Sequence, residues 1–485
     1  MAEEQSPKTP RVGKDEWVAT HEGRTAEYSG PIGFVQRLWE TTHPGWRLVV
    51  FAAAAAIFPF LTSSDFHVRI GVQVLLFAIL ALGLNVTVGW AGMLDLGYVA
   101  FYGFGAYAYA FMSSDQFDLH WPTETTIIIV VIATAALGFL LGLPSRRLSG
   151  DYLAIITLFF AQAFVEFTTN GNRFDDFGLP EVDVTGGPNG IPGVDQFKIF
   201  GIQFDSISDY FFLLLIFVVV VVVALHRVAQ SRIGRAWNAI REDPLAAEAM
   251  TIPVNRLRLL AFAFGAATAG LAGSVFAAVQ QGVFPTNFAV TFLIMIYAAL
   301  VLGGTGSMSG AVLGAIVVAS VPNILRSPDP ATWLFYLALL TGLVLLLRHR
   351  WKLLGVLGGV VALGFVLRGI VAGAWPGTVA DAALRDSDLA GAFSSWMVVL
   401  DTQSNTAGNV AFVALIVCAL AFTMLSGYWR TAMLIPIVYL AAFTWENRLV
   451  FEAGVTRQLL FGAILIILMA SRPQGLLGTP RVEIT

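Results

Sequence analysis

The sequence predicts an all-α, polytopic transmembrane helix bundle of about 12–14 spans with both termini in the cytoplasm. Three observations lead there. Hydrophobic residues make up 57% and charged residues only 12% of 485 positions, about half the charge that an ordinary soluble surface carries. Apolar runs near the ~20-residue length that crosses a bilayer recur along the chain. The cations between those runs alternate in density, as the positive-inside rule requires of a multi-pass protein. Soluble enzymes, soluble nucleic-acid binders and disordered tails are excluded by the composition. The single cysteine, Cys418, rules out an internal disulfide. Six scattered histidines show no metal-ligand spacing. A net charge of −4 is too mild to imply a polyanionic partner, so no nucleic acid is expected. No G-x-x-x-x-G-K-[ST] occurs, so a nucleotide that drives this protein is hydrolysed on another subunit.

Taken in order, residues 1–46 are polar and mixed in charge and read as a cytoplasmic tail, without the early apolar stretch of a signal peptide. Fourteen apolar runs follow, at 47–63, 69–89, 93–113, 126–143, 152–169, 209–226, 259–281, 289–303, 306–325, 333–347, 353–372, 409–426, 430–445 and 457–471. The short runs at 289–303 and 333–347 fit re-entrant or tilted helices. With the amino terminus inside and every run crossing, twenty of the 28 Lys and Arg lie on the cytoplasmic side and seven outside. Arg368 falls inside a run near its outer end, where snorkelling accounts for it. The outer loop 170–208 is acidic and either docks a partner or is a solvated connection; the outer loop 373–408 is polar and rich in small residues.

Inside the spans glycine dominates. Gly306, Gly310 and Gly314 read as a tandem G-x-x-x-G on one helical face, and Ala266/Gly270 and Ala269/Gly273 give two more small-residue pairs. Such faces let helix backbones approach closely, either as fixed packing or as surfaces that slide. Charges within hydrocarbon cost about 2.5–3.5 kcal/mol each, and few occur. Asp95 is read at the cytoplasmic end of 93–113 and Glu166 near the outer end of 152–169. The glycine-rich stretch 83–106, with Asn85, Gly92, Asp95 and Gly97, is a candidate pathway wall or simply close packing. Glu166 and Asn170 are candidates for contact with a zwitterion's ammonium, or for a structural hydrogen bond. No chain of buried acids or spaced arginines marks a proton-coupled carrier or voltage sensor. Nor does any H-E-x-x-H, G-x-S-x-G or buried carboxylate pair mark an enzyme, so no catalytic or metal site is assigned.

The loop 227–258 is the most informative. Asp243 before Pro244 is a helix start, with an N-cap oxygen followed by a residue without an amide hydrogen. Leu245–Met250 are good helix formers, and Pro253 ends the element. A two-turn helix in water needs bracing by a neighbour. The small apolar surface of Ala246, Ala247, Ala249 and Met250 suits a groove on another protein.

At this point the chain resembles the permeases of ABC importers, whose short coupling segment Glu242–Pro253 is similar to. The stretches Gly83–Tyr102, Gly150–Leu158, Thr185–Ile191, Ser231–Ala236, Val301–Ser307 and Arg472–Gly478 resemble the LivM-type branched-chain amino-acid permeases in order and approximate spacing. The resemblance implies a permease core over 47–325, a family-atypical insertion with about four extra spans over 326–456, and a final span with a cytoplasmic tail over 457–485. It implies coupling to ATPases through Arg241, Glu242, Asp243, Ala246, Ala247, Glu248 and Met250. Expected partners are two ABC ATPase subunits, a second and different permease, an extracytoplasmic binding protein and membrane lipid. The chain would hold no cofactor, with ATP and Mg on the ATPases, and would sit in a bacterial cytoplasmic membrane. Urea, short amides or aromatic acids are alternative substrates, and an ion-coupled secondary carrier is the alternative mechanism. One departure stands out: Thr251 occupies a position that resembling proteins fill with glycine, and a β-branched residue fits a positive φ poorly.

Overall fold

The structure is a computed structural model. It describes residues 44–62, 64–146, 150–171, 183–324, 328–347, 350–375, 395–400 and 405–449, together with Val379, Gly462 and 475–477. The expected last span, 457–471, apart from Gly462, and most of the amino-terminal tail lie outside the described residues. Helix α1 (Pro44–Leu61) belongs to a separate first unit and starts slightly before the expected limit, with Pro44 in the first position, where its missing amide is harmless.

Among its described residues, the second unit is mostly helical. Its permease part comprises α2 (Asp65–Leu84), α3 (Tyr98–Met112), α4 (Thr123–Leu141), α5 (Asp151–Asn170), α6 (Ile207–Gln230), α7 (Arg232–Glu242), α8 (Pro244–Ala249), α9 (Val254–Gln280), α10 (Val290–Gly303) and α11 (Met308–Ile324). Then come α12 (Pro328–Leu346), α13 (Arg350–Ala374), α14 (Asn405–Met424) and α15 (Gly427–Thr444). Eight helical stretches among the described residues are long and apolar enough to cross a membrane, and three shorter apolar helices accompany them. The protein is thus an all-α polytopic membrane bundle.

The core is built around α9, which packs chiefly on α3 and α4. The small residues decide how closely. A Cβ at Gly105 of α3 would lie 2.5 Å from the Gly270 Cα of α9, so the two backbones are in contact. On its other side Gly270 meets Thr134 of α4. The expected Ala266/Gly270 and Ala269/Gly273 pairs therefore serve two neighbours at once, Gly273 facing the α3 backbone at Tyr102 and Ala106. A second layer joins α2, α10, α11 and α6. Gly303 and Gly310 face each other between α10 and α11, and Gly314 sits against the Ala299 carbonyl.

Two expectations change here. The run 93–113 is helical only from Tyr98, because residues 91–97 run as irregular chain after a π turn at Asn85–Trp90; Asp95 precedes helix α3 and is not within it. Gly306 is not on the face of Gly310 and Gly314. It lies before α11 with φ +90°, and its amide bonds outside the helix. Short antiparallel pairs also occur: β1 (Ile191–Pro192) with β4 (Gly282–Val283), and β2 (Lys198–Ile199) with β3 (Ile202–Gln203). They knit the outer loops.

Helices α12–α15 share an apolar centre with the 395–400 segment, with Val356, Val360, Leu434, Val438 and Met397 buried. Trp445, fully buried, stacks on Phe335 at 4.3 Å and donates its indole hydrogen to Thr332 Oγ1 at 3.2 Å. Val321 of α11 packs against this Ala331–Trp445 contact, joining α11 to the helices that follow it. Arg368 does not depend on snorkelling alone, since its guanidinium donates to the Met397 carbonyl at 3.4 Å.

Candidate functional site

The short helix expected after Asp243 forms. Asp243 is the N-cap of α8, its Oδ1 accepting from the Leu245 amide at 2.8 Å and the Ala246 amide at 3.1 Å. At the other end, the Ile252 amide bonds the Ala247 carbonyl at 3.1 Å and the Thr251 amide bonds Glu248 at 3.0 Å. This pairing is a Schellman ending, which wants a left-handed residue at Thr251. Thr251 supplies it, at φ +64°. The helix thus ends where glycine would serve better.

The faces of α8 differ from the expectation in one respect. Ala247 points into the protein and is buried, whereas Glu242, Asp243, Ala246, Glu248 and Met250 are exposed. A six-residue helix against the domain must bury one side, and Ala247 is the residue small enough to let it lie close. Leu245, which the sequence reading left out, is 78% exposed and Met250 75%. These two large apolar side chains are held out from the chain.

Behind α8, helix α7 is locked to the membrane core. Trp237 is fully buried, donates to the Leu257 carbonyl at 2.8 Å and stacks with Trp90 at 6.4 Å between ring centres. Arg241 turns inward, and its guanidinium donates to the Gly89 carbonyl. Gly89 and Trp90 belong to the π turn. Trp90 Nε1 donates to the Gly306 carbonyl at 3.1 Å, and the Gly306 amide donates to Asn85 Oδ1 at 2.7 Å. Gly92, at φ +69°, leaves room for the Arg241 side chain, to which a Cβ would come within 3.0 Å. Asn85, Gly92, Arg241 and Gly306, expected in three different roles, therefore meet in one node. The Trp90–Trp237 pair was the missed signal: two tryptophans near the same water-facing end of the bundle.

In the irregular segment 91–97, Ala91, Met93, Asp95 and Gly97 are buried while Gly92 and Leu94 are exposed, and its buried backbone must find internal partners. It does. The Asp95 amide bonds Tyr297 Oη at 3.1 Å, the Leu96 amide bonds Thr157 Oγ1 at 3.0 Å, and the Gly97 amide bonds Asp95 Oδ1 at 3.0 Å. Tyr297 returns its hydroxyl hydrogen to the Asp95 carbonyl at 2.7 Å. Gly97 packs against the Thr157 carbonyl, where a Cβ would come to 2.8 Å. Asp95 is fully buried, so it closes the break between α2 and α3 and does not face an open channel.

Glu166 and Asn170 come together on α5: Asn170 Nδ2 donates to Glu166 Oε1 at 2.8 Å. Both are exposed, as is Gln162 one turn earlier. A polar stripe thus runs along the uncovered face of an otherwise apolar span.

Between the loop after α3 and the segment before α6, a cavity of about 850 Å³ is bordered by Asp115, His120, Glu124, Asp195 and Lys198. His120 Nδ1 pairs with Asp195 Oδ2 at 2.6 Å, while Asp115 and Asp118 face Nε2 at 3.6 and 3.7 Å. The bond to Asp195, aided by the surrounding carboxylates, raises the His120 pKa above its ordinary 6.5.

A bundle with eight helices long and apolar enough to cross a bilayer, among the described residues, defines a multi-pass membrane protein. Comparison with known proteins narrows this. Residues 67–347 match the family described as the branched-chain amino acid transport system / permease component, and the chain belongs to that family. It is 34% identical over 333 residues to the high-affinity branched-chain amino acid transport system permease protein LivM of Escherichia coli (strain K12), covering 64% of this chain and 74% of that one. A probable branched-chain amino acid transport permease protein LivM of Methanocaldococcus jannaschii is 24% identical over 244 residues, covering 47% and 66%. The autoinducer 2 import system permease protein LsrC of Klebsiella pneumoniae is 36% identical over 126 residues, covering 24% and 36%. No solved structure matches.

Proposed function

We propose that the chain is the permease subunit of an ATP-driven importer of branched-chain amino acids in a bacterial cytoplasmic membrane. Substrate would arrive from an extracytoplasmic binding protein, and two ABC ATPases would dock from the cytoplasm, with ATP and Mg bound there. The observation that carries this reading is α8: a capped, water-facing helix that presents Leu245 and Met250 outward. Closure of the ATPases pushes α8, and α7 relays the push through Trp237 and Arg241 to the π turn and to Gly306. The relay is mechanical and reaches the point where α2, α3 and α11 meet.

The polar stripe of Gln162, Glu166 and Asn170 supports placing the pathway along α5, shared with a second, different permease. Bare to lipid, a carboxylate there would be costly. Against a partner and a hydrated pathway it is satisfied, and it suits a substrate's ammonium.

The test is copurification and uptake with Leu245→Glu combined with Met250→Glu. Loss of a copurifying ABC ATPase and of uptake, with the chain still folded and membrane-inserted, is the expected result. Full uptake and full ATPase recovery would sink the docking assignment.

A further inference from the structure

The insertion carries a site of its own. A cavity of about 300 Å³ opens where the α12–α13 and α14–α15 turns come together, on the side that the charge alternation makes cytoplasmic. Two cations border it, Lys352 at the start of α13 and Arg430 at the start of α15, with no carboxylate among the described lining residues. The Arg430 guanidinium lies over the Phe422 ring, 4.8 Å from its centre, which fixes where its charge points. The other walls are apolar, from Leu346, Leu347 and Leu434, with the Thr431 hydroxyl beside them.

Next in sequence to the lining residues, Trp351, Tyr428 and Trp429 are 84%, 81% and 71% exposed. Aromatic side chains of this kind gather at the headgroup level of a bilayer. A soluble anion would need the two cations but not the leucine walls or the exposed aromatics. A lipid headgroup needs both.

We propose that this cavity binds the phosphate headgroup of an anionic phospholipid of the cytoplasmic leaflet. Lys352 and Arg430 neutralise the phosphate, and Thr431 supplies a hydroxyl hydrogen. The acyl chains leave along Leu346 and Leu434. The insertion would then fasten the permease to anionic lipid at the opposite end of the chain from its amino-terminal tail. Its leaflet assignment rests on the orientation used above, but lipid binding itself is independent of the transport reading.

The experiment is native mass spectrometry of the full chain in detergent, titrated with phosphatidylglycerol, with phosphatidylethanolamine and with inorganic phosphate. Wild type should retain phosphatidylglycerol selectively, and phosphate at equal concentration should not displace it. Each of Lys352→Gln and Arg430→Gln should weaken retention about fivefold, the attraction of one cation for an anionic surface. Arg430→Lys should keep most of it, which separates lost charge from lost folding. A charge-matched control, Lys198→Gln with Arg385→Gln in the outer loops, should retain lipid as wild type does. Equal retention by wild type and Lys352→Gln/Arg430→Gln would overturn the proposal. Displacement by inorganic phosphate would overturn it in favour of a free-anion site.

Discussion

Asn85 Oδ1 accepts the Gly306 amide at 2.7 Å, joining the π turn to the start of α11 across 221 positions of sequence. Asn85 is fully buried, so Asn85→Leu strands that amide away from water. The expected cost is about 1–3 kcal/mol. Thermal unfolding in detergent should show a lowered midpoint, and an unchanged midpoint would mean that the bond contributes nothing.

Arg241 separates assembly from coupling. Its side chain faces inward, to Gly89, and leaves the outward surface of α8 untouched. Arg241→Met should therefore retain a copurifying ATPase while uptake falls tenfold or more, about 1.4 kcal/mol of lost coupling. Loss of the ATPase together with uptake would instead make Arg241 part of the docking surface.

Thr251 holds a left-handed conformation at φ +64°. For a β-branched residue this costs about 1–2 kcal/mol, and glycine gives part of that back to unfolded-chain entropy. Thr251→Gly should stabilise the protein by up to about 1 kcal/mol. Thr251→Pro should destabilise it, because the amide that bonds Glu248 disappears. Protease susceptibility of the α8 region reports both.

The Gly105–Gly270 contact leaves no space for a side chain. Gly105→Val should force α3 from α9 and cost about 1–3 kcal/mol or more, as overpacking does. The yield of monodisperse protein after solubilisation is the readout, and normal yield would contradict the close approach.

His120 gives a pH dependence of definite sign. Its folded pKa is raised above 6.5 by Asp195, so the stabilising ion pair is fully present below that value and fades as pH rises through the folded pKa. The difference in unfolding midpoint between wild type and His120→Ala should be larger at acidic pH and shrink on the alkaline side. A difference that grows with pH would reverse the assignment.

Most of the bundle is legible in the sequence, because hydrocarbon tolerates so little polar surface that each apolar run stands out. The start of α8 is legible too, since Asp243–Pro244 is a local signal that needs no tertiary help. What escapes is whatever depends on distant partners. Gly306 looks helical by spacing, yet its amide is taken by Asn85 and the carbonyl by Trp90, and only the fold brings those residues together. Ala247 looks like docking surface because composition cannot tell the two sides of a two-turn helix apart. The break at 91–97 hides inside an apolar run because the groups that satisfy it, Thr157 and Tyr297, come from α5 and α10.

The amides of Leu476 and Leu477 bond the carbonyls of Leu302 and Gly303, both at 2.9 Å, and Gly475 lies against Gly304. The end of α10 is thus finished by residues made 174 positions later, since 476 − 302 and 477 − 303 are both 174. At about 5–20 residues per second the ribosome needs roughly 10–30 s to deliver them. Until then those carbonyls lack their final partners, so this join can form only after residues 304–474 have been synthesised.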